Sequence, residues 1–320
     1  MYRNGMTPQR SGVANESLFA GVGAGQPRTE ASPFQPAKAW LAARENHIRR
    51  VGFWFALAFI FFRFSMLHEL VTYKVGFNTY ILYFVGPPAL ILMVLSGGLA
   101  RAWGDWTAKA WIAFTVWMVV CVPFSFWPGD SLDLAQSYLR TEIPMLFLVA
   151  GMAVTLADCF RVVGAIALSG CFNVYMAKIF SDPDVAGRFN IAFSSIANAN
   201  DMAAHLLLVL PLVGYFVLAK RQNVVIRMTG AAVIAVGLFL ILGTGSRGAL
   251  LSLLIMVLVV LWKGTFLHRA VILLLAPLAF LLVTPFLPRS TTERLLTIFS
   301  ASGQQEGEAR DSQEKRTYLL

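Results

Sequence analysis

Charge is scarce in this chain: Asp, Glu, Lys and Arg make up 13% of its 320 residues, against 57% apolar residues and a mean hydropathy of +0.65. That balance excludes a water-solvated globular domain as the body of the protein. Cysteine is scarce as well, and Cys121, Cys159 and Cys171 lie in or beside apolar runs at spacings that match no zinc or redox motif. They are expected to act as buried small hydrophobes. The chain has 4 histidines, and no cluster of carboxylates or histidines marks a stretch expected to face outward. No metal and no other cofactor is therefore expected. No internal repeat is visible. The first apolar run begins near Val51, deeper than the apolar core of a cleavable signal, so it is expected to remain as an anchor.

What the chain has instead is a series of apolar runs of membrane-spanning length, separated by short polar breaks. In hydrocarbon every backbone N–H and C=O needs an internal partner, which leaves helices or closed barrels, and these runs are continuous rather than alternating. The expected fold is all-α, a polytopic transmembrane helix bundle. Its nine expected helices run over 51–67, 77–100, 110–127, 143–157, 159–180, 202–219, 228–243, 249–262 and 270–286. The fourth and fifth are so close together that a re-entrant pair is an alternative. Residues 1–45, rich in Gly, Pro, Ser, Ala and Gln, read as a disordered tail.

The formal net charge of +9 suits inner loops and anionic headgroups rather than nucleic acid, which is not an expected partner. Arg44, Arg49 and Arg50 place the N-terminal flank in the cytoplasm by the positive-inside rule. The following inner loops carry Arg101 and Lys109, then Arg161, then Lys220, Arg221 and Arg227, then Lys263 and Arg269. The outer loops hold acids: Asp130, Asp133 and Glu142 over 128–142, and Asp182, Asp184 and Asp201 further on. Trp103, Trp106, Trp127 and Trp262 fall at expected interfaces, as an aromatic belt requires.

Against that pattern, Arg140, Arg188 and Arg247 stand on the outer face, where positive charge is not favoured. Arg247 lies in Gly243-Thr244-Gly245-Ser246-Arg247-Gly248, a six-residue break between two apolar runs. A turn this tight and glycine-rich points amides at the start of the next helix, where the dipole is positive, and a guanidinium beside it suits phosphate. The bland alternative is a tight hairpin shaped by Gly and Ser, with Arg247 reaching to the headgroups. The second polar stretch is Gly187-Arg188-Phe189-Asn190 through Ser194-Ser195-Ile196-Ala197-Asn198-Ala199-Asn200-Asp201. Its amides and hydroxyls suit sugar hydroxyls, and equally suit capping of the next helix by Asn198, Asn200 or Asp201. Arg188 could pair with Asp182 or Asp184 instead of a ligand.

The Gly-Arg-Phe triplet with its Asn-rich loop, the helix bearing Leu210-Pro211, a basic inner loop and then Leu242-Gly243-Thr244-Gly245-Ser246-Arg247-Gly248-Ala249 together resemble the core of the O-antigen ligase/polymerase family. The resemblance covers residues from Gly187 onward; the earlier half agrees only in being apolar. It divides the chain into the cytoplasmic tail 1–45, N-terminal transmembrane helices over 46–180, core helices over 181–288, and the start of a large periplasmic loop over 289–320. It implies a GT-C-like, metal-independent glycosyltransferase of the bacterial inner membrane. The donor would be an undecaprenyl-pyrophosphate-linked glycan, and the acceptor a lipid A-core sugar, another glycan or a protein side chain. On that resemblance Arg188 and Arg247 bind the donor pyrophosphate, with Arg140 as a further candidate on physical grounds. Asn198, Asn200 and Ser246 are candidates for glycan contact. The family's catalytic histidine matches none of His47, His68, His205 and His268; it is expected beyond Leu320, as though the chain were truncated. His47 and His268 fall on the expected cytoplasmic side, and His205 reads as a packed helix residue. The rival reading is a transporter of a small anion or other solute, for which a midplane acid or base pair would be the expected mark. A subunit with a purely structural role in an assembly is a third.

Overall fold

The computed structural model describes residues 46–104, 106–183, 187–219 and 222–266, with isolated positions 269–270, 273–274 and 285 beyond them. The expected tail, almost all of the ninth helix and the segment 289–320 lie outside the described residues, as do Asp184, Lys220, Arg221 and His268. Ten α-helices are described: α1 (His47–Ser65), α2 (Leu67–Val75), α3 (Ile81–Leu95), α4 (Gly98–Trp103), α5 (Trp106–Cys121), α6 (Pro128–Met152), α7 (Leu156–Phe180), α8 (Ala199–Leu218), α9 (Val224–Gly243) and α10 (Arg247–Lys263). The only sheet among the described residues is a two-residue ribbon, β1 (Asp182–Pro183) against β2 (Phe189–Asn190).

Helices α7, α8 and α9, at 25, 20 and 20 residues, are long and apolar enough to cross a membrane, as is the 19-residue stretch Trp106–Phe124. The pair α1–α2 gives a fifth candidate if its 67° bend lies within one span. Each of the first eight expected segments falls on a helix, but four of those helices are too short or too polar to pass as spans on their own: α1, α3, α6 and α10. Outward-facing Trp117, Phe126 and Trp127 are 66%, 78% and 65% exposed. In water such a surface would drive association; in lipid it is the natural outer wall.

The first core gathers Phe53, Ala56 and Ile60 of α1, Ala89 and Met93 of α3, and Leu148 of α6. The second gathers Val174 of α7, Met202, Leu206 and Leu210 of α8, and Leu240 and Ile241 of α9. Helix α7 belongs to both, through Val162 in the first and Val174 in the second. Side-chain bonds fix the direction of packing. Arg49 reaches the Met152 carbonyl and Asp158, Arg101 the Gly151 carbonyl, and at the opposite end Arg63 reaches Glu142 and Asn173 the Phe64 carbonyl. The arginines of the expected inner loops, Arg49, Arg101 and Arg161, thus gather at one end of the bundle. Arg188 and Arg247 lie at the other.

Three expectations need correction. Residues 128–142 are not a loop but the first half of α6, with Pro128 at its first turn and Asp130 placed to meet the positive helix end. The polar residues there recur with helical period, at 133, 136, 137, 140 and 141, so they form one stripe and do not break the helix. The expected second helix, 77–100, divides into α3 and α4 at Ser96 and Gly97. The cysteines are not uniformly buried: Cys121 and Cys159 face outward, and only Cys171 is partly covered. The close spacing of the fourth and fifth helices resolves into a break at 153–155. There Thr155 accepts from the Asp158 amide while the Asp158 carboxylate accepts from the Thr155 amide, a reciprocal cap that starts α7.

Candidate functional site

The polar end of the bundle is built by local caps. Asn198 precedes α8, and its side chain accepts from the Asn200 amide at 2.9 Å. Ser246 precedes α10 and accepts from the Ala249 amide at 3.3 Å. Between α9 and α10, Thr244 is fully buried; its hydroxyl donates to the Ile241 carbonyl at 2.6 Å and accepts from the Ser246 amide at 3.3 Å. Gly245 has φ +60°, a left-handed backbone that favours glycine. Two of the amides expected to cradle an anion, those of Ser246 and Ala249, are therefore engaged by local hydroxyls.

Arg188 draws three segments together. It is the last residue of the β1–β2 connection; its Nε donates to the Thr244 carbonyl at 2.8 Å, and an Nη donates to the Asn200 side-chain oxygen at 2.8 Å. One half-buried guanidinium thus ties the ribbon to the start of α8 and to the turn that carries Arg247. Arg247 opens α10 and is exposed. The structure brings Arg188, Asn200, Ser246 and Arg247 to one locality, with Asn198 capping the helix beside them. Arg140 is elsewhere: it donates to Gln136 at 3.2 Å and lines a cavity with His68 and Asn78 that shares no residue with the turn. Of the two acids weighed as partners for Arg188, Asp184 lies outside the described residues.

Several residues of this end carry no mark in the sequence reading. The Glu69 carboxylate accepts from the Ser195 amide at 2.8 Å, and Tyr73 stacks on Phe193 with ring centres 4.2 Å apart. Helix α2 is therefore held against the polar loop that carries Arg188. Arg63 and Glu142 pair at 3.1 Å, half exposed. The Asn173 amide donates to the Phe64 carbonyl at 2.6 Å and lies 2.6 Å from His205 Nε2, so His205 is a packed helix residue as expected. Among the described residues no three His, Cys, Asp or Glu side chains gather into a metal-sized group.

Gly243 is a point of close approach. A Cβ there would collide with the edge of the Phe189 ring, next in sequence to Arg188. Gly243→Ala is expected to cost about 1–3 kcal/mol by overpacking and to push Phe189 aside. The thermal midpoint in detergent should fall, and recover in part when Phe189→Leu is added; no fall would show that the ring can move freely.

The packing and the outward apolar surface define a multi-pass helical membrane protein. Compared with family models, with curated proteins and with solved structures, the chain matches none.

Proposed function

We propose that this chain is a membrane glycan ligase or polymerase of the GT-C-like, metal-independent kind. In this reading it takes a glycan from an undecaprenyl-pyrophosphate carrier on the periplasmic face of the inner membrane. It passes the glycan to a lipid A-core sugar, a glycan or a protein. The observation that carries the reading is the Arg188 bridge: two motifs resembling those of the O-antigen ligase/polymerase family, 56 residues apart in sequence at Arg188 and Thr244, are joined at one end of the bundle by a 2.8 Å hydrogen bond. The resemblance treats these motifs as one site, and the bridge is what such a site needs.

Chemically, a diphosphate demands charge and forked donors, which guanidinium supplies better than ammonium. Arg247, exposed at the positive end of α10, meets the phosphate oxygens, and Arg188 stands behind it, fixed by Thr244 and Asn200. Both would stabilise the charge that grows on the pyrophosphate as the sugar–phosphate bond breaks. Asn200 and Asn198 border the place where the first sugar would lie.

The transporter reading draws on the Arg63–Glu142 pair, an ion pair between helices. Arg63 lies in the last turn of α1, however, at the polar end and not at mid-depth. A binding experiment separates the two. Purified protein should bind an undecaprenyl-pyrophosphate glycan saturably. Arg247→Ala should weaken that binding roughly 10–100-fold, the loss of one or two hydrogen bonds to a charged group, at an unchanged thermal midpoint. Arg247→Lys should lie between, because it keeps the charge and loses the fork. Absent binding, or binding indifferent to Arg247, would overturn the glycan reading and favour transport.

A further inference from the structure

The cavity that holds Arg140 has the form of a site for an amphiphile. Its outer part is a vestibule of about 430 Å³ whose polar lining includes His68, Asn78, Asp133, Gln136 and Arg140. An adjoining slot of about 180 Å³ is walled by Phe59, Leu82, Gly86, Pro87, Leu90 and Pro144. Leu82, Tyr83, Arg140 and Thr141 border both, so vestibule and slot adjoin between α3 and α6. The slot follows α3 from Leu82 to Leu90, about 12 Å at 1.5 Å per residue. It therefore runs from the polar end toward the middle of the bundle. Prolines in both walls, Pro87 in α3 and Pro144 in α6, give it apolar rings and interrupt the hydrogen-bonding of its helices.

The charges of the vestibule select the head. Asp133 and Arg140 are seven residues apart on α6, two turns and about 10.5 Å along its axis, on the same stripe. Both are exposed, and they do not pair with each other among the described residues: Arg140 turns to Gln136 at 3.2 Å. A cation and an anion held apart over an apolar slot match a zwitterion with a hydrocarbon tail. Phosphate would meet Arg140, ammonium would meet Asp133, and one chain would descend the slot. A simple anionic headgroup would leave Asp133 facing negative charge.

We propose that the α3–α6 cavity is a lipid site that takes an aminophospholipid of the phosphatidylethanolamine type, separate from the turn that carries Arg247. The test is native mass spectrometry of the intact protein, released from micelles doped with equal amounts of phosphatidylethanolamine and phosphatidylglycerol. One retained phosphatidylethanolamine is expected, favoured over phosphatidylglycerol by tenfold or more. Asp133→Asn should abolish the preference. Arg140→Ala should remove the adduct, and Leu90→Trp, which fills the slot, should remove it independently; both should keep the wild-type thermal midpoint. Arg247→Ala should leave it untouched, so this proposal and the donor-site reading fail separately. Equal retention of the two lipids, or an adduct indifferent to Asp133 and Arg140, would overturn the proposal. So would displacement of the lipid by soluble phosphoethanolamine alone, which would show that no tail is held.

Discussion

Asp158→Ala is expected to destabilise the protein by about 3–5 kcal/mol, the cost of breaking a buried ion pair by removing one of its members. The Asp158 carboxylate is 4% exposed and pairs at 3.0 Å with Arg49, itself 5% exposed. The same oxygen accepts from the amides of Val154 and Thr155 at 3.3 and 3.2 Å, while the other takes Arg161 at 3.1 Å. Arg161 is 55% exposed, so its share is small. Arg49 also donates to the Met152 carbonyl at 2.8 Å, which ties it to the end of α6. The substitution would remove the reciprocal cap of α7 as well as the counter-charge. Asp158→Asn, which keeps the shape and loses the charge, should fall between. Arg49→Met combined with Asp158→Ala should cost less than Asp158→Ala alone, because the charge left behind is removed. Denaturant unfolding in a fixed detergent measures all three. A loss below about 1 kcal/mol for Asp158→Ala would place the pair among surface bridges and contradict the burial.

Apolar runs and charge alternation together made the helices, and the two ends of the bundle, legible from residues alone. The places where the reading failed have physical causes. Counting acids over 128–142 suggested a solvated loop, whereas the polar residues Asp133, Gln136, Ser137 and Arg140 recur at helical spacing, and period outranks polarity in deciding a helix. The break at Met66 had no glycine or proline to announce it: a non-glycine residue at φ +52° bends the chain there, and Glu69 then bonds α2 to the Ser195 loop. Of the site, the tight turn and the Asn198 cap were visible as residue types, while the capping role of Ser246 was not. The bonds that assemble it were not, since Arg188–Thr244 and Glu69–Ser195 join positions 56 and 126 residues apart, and a single sequence carries no signal at that range. Arg140 illustrates the converse: its unusual sign on the outer face was visible, but its company, Gln136 and Asp133, belongs to another cavity.

Arg188 substitutions should have the largest effect on donor binding, because this residue is expected to act both as a charge and as a clamp. Its Nε holds the Thr244 carbonyl, and an Nη holds Asn200. Arg188→Ala removes both bonds and the positive charge. It also leaves the Thr244 carbonyl without this donor at a residue that is fully buried, a loss of about 1–3 kcal/mol. Donor affinity should fall by more than 100-fold, exceeding the effect of Arg247→Ala, since the turn that presents Arg247 would loosen at the same time. Arg188→Gln separates the two roles: an amide can donate to Thr244 but carries no charge. If Arg188 is only a clamp, Gln should preserve both the thermal midpoint and donor binding. If it is also a phosphate ligand, the midpoint should hold while binding is lost, and combining Arg188→Gln with Arg247→Ala should cost less than the sum of the two, as for groups that grip one ligand. Additive losses would instead mean that the two arginines act on the donor independently, and the turn would then be a scaffold joining two sites rather than a single pyrophosphate cradle.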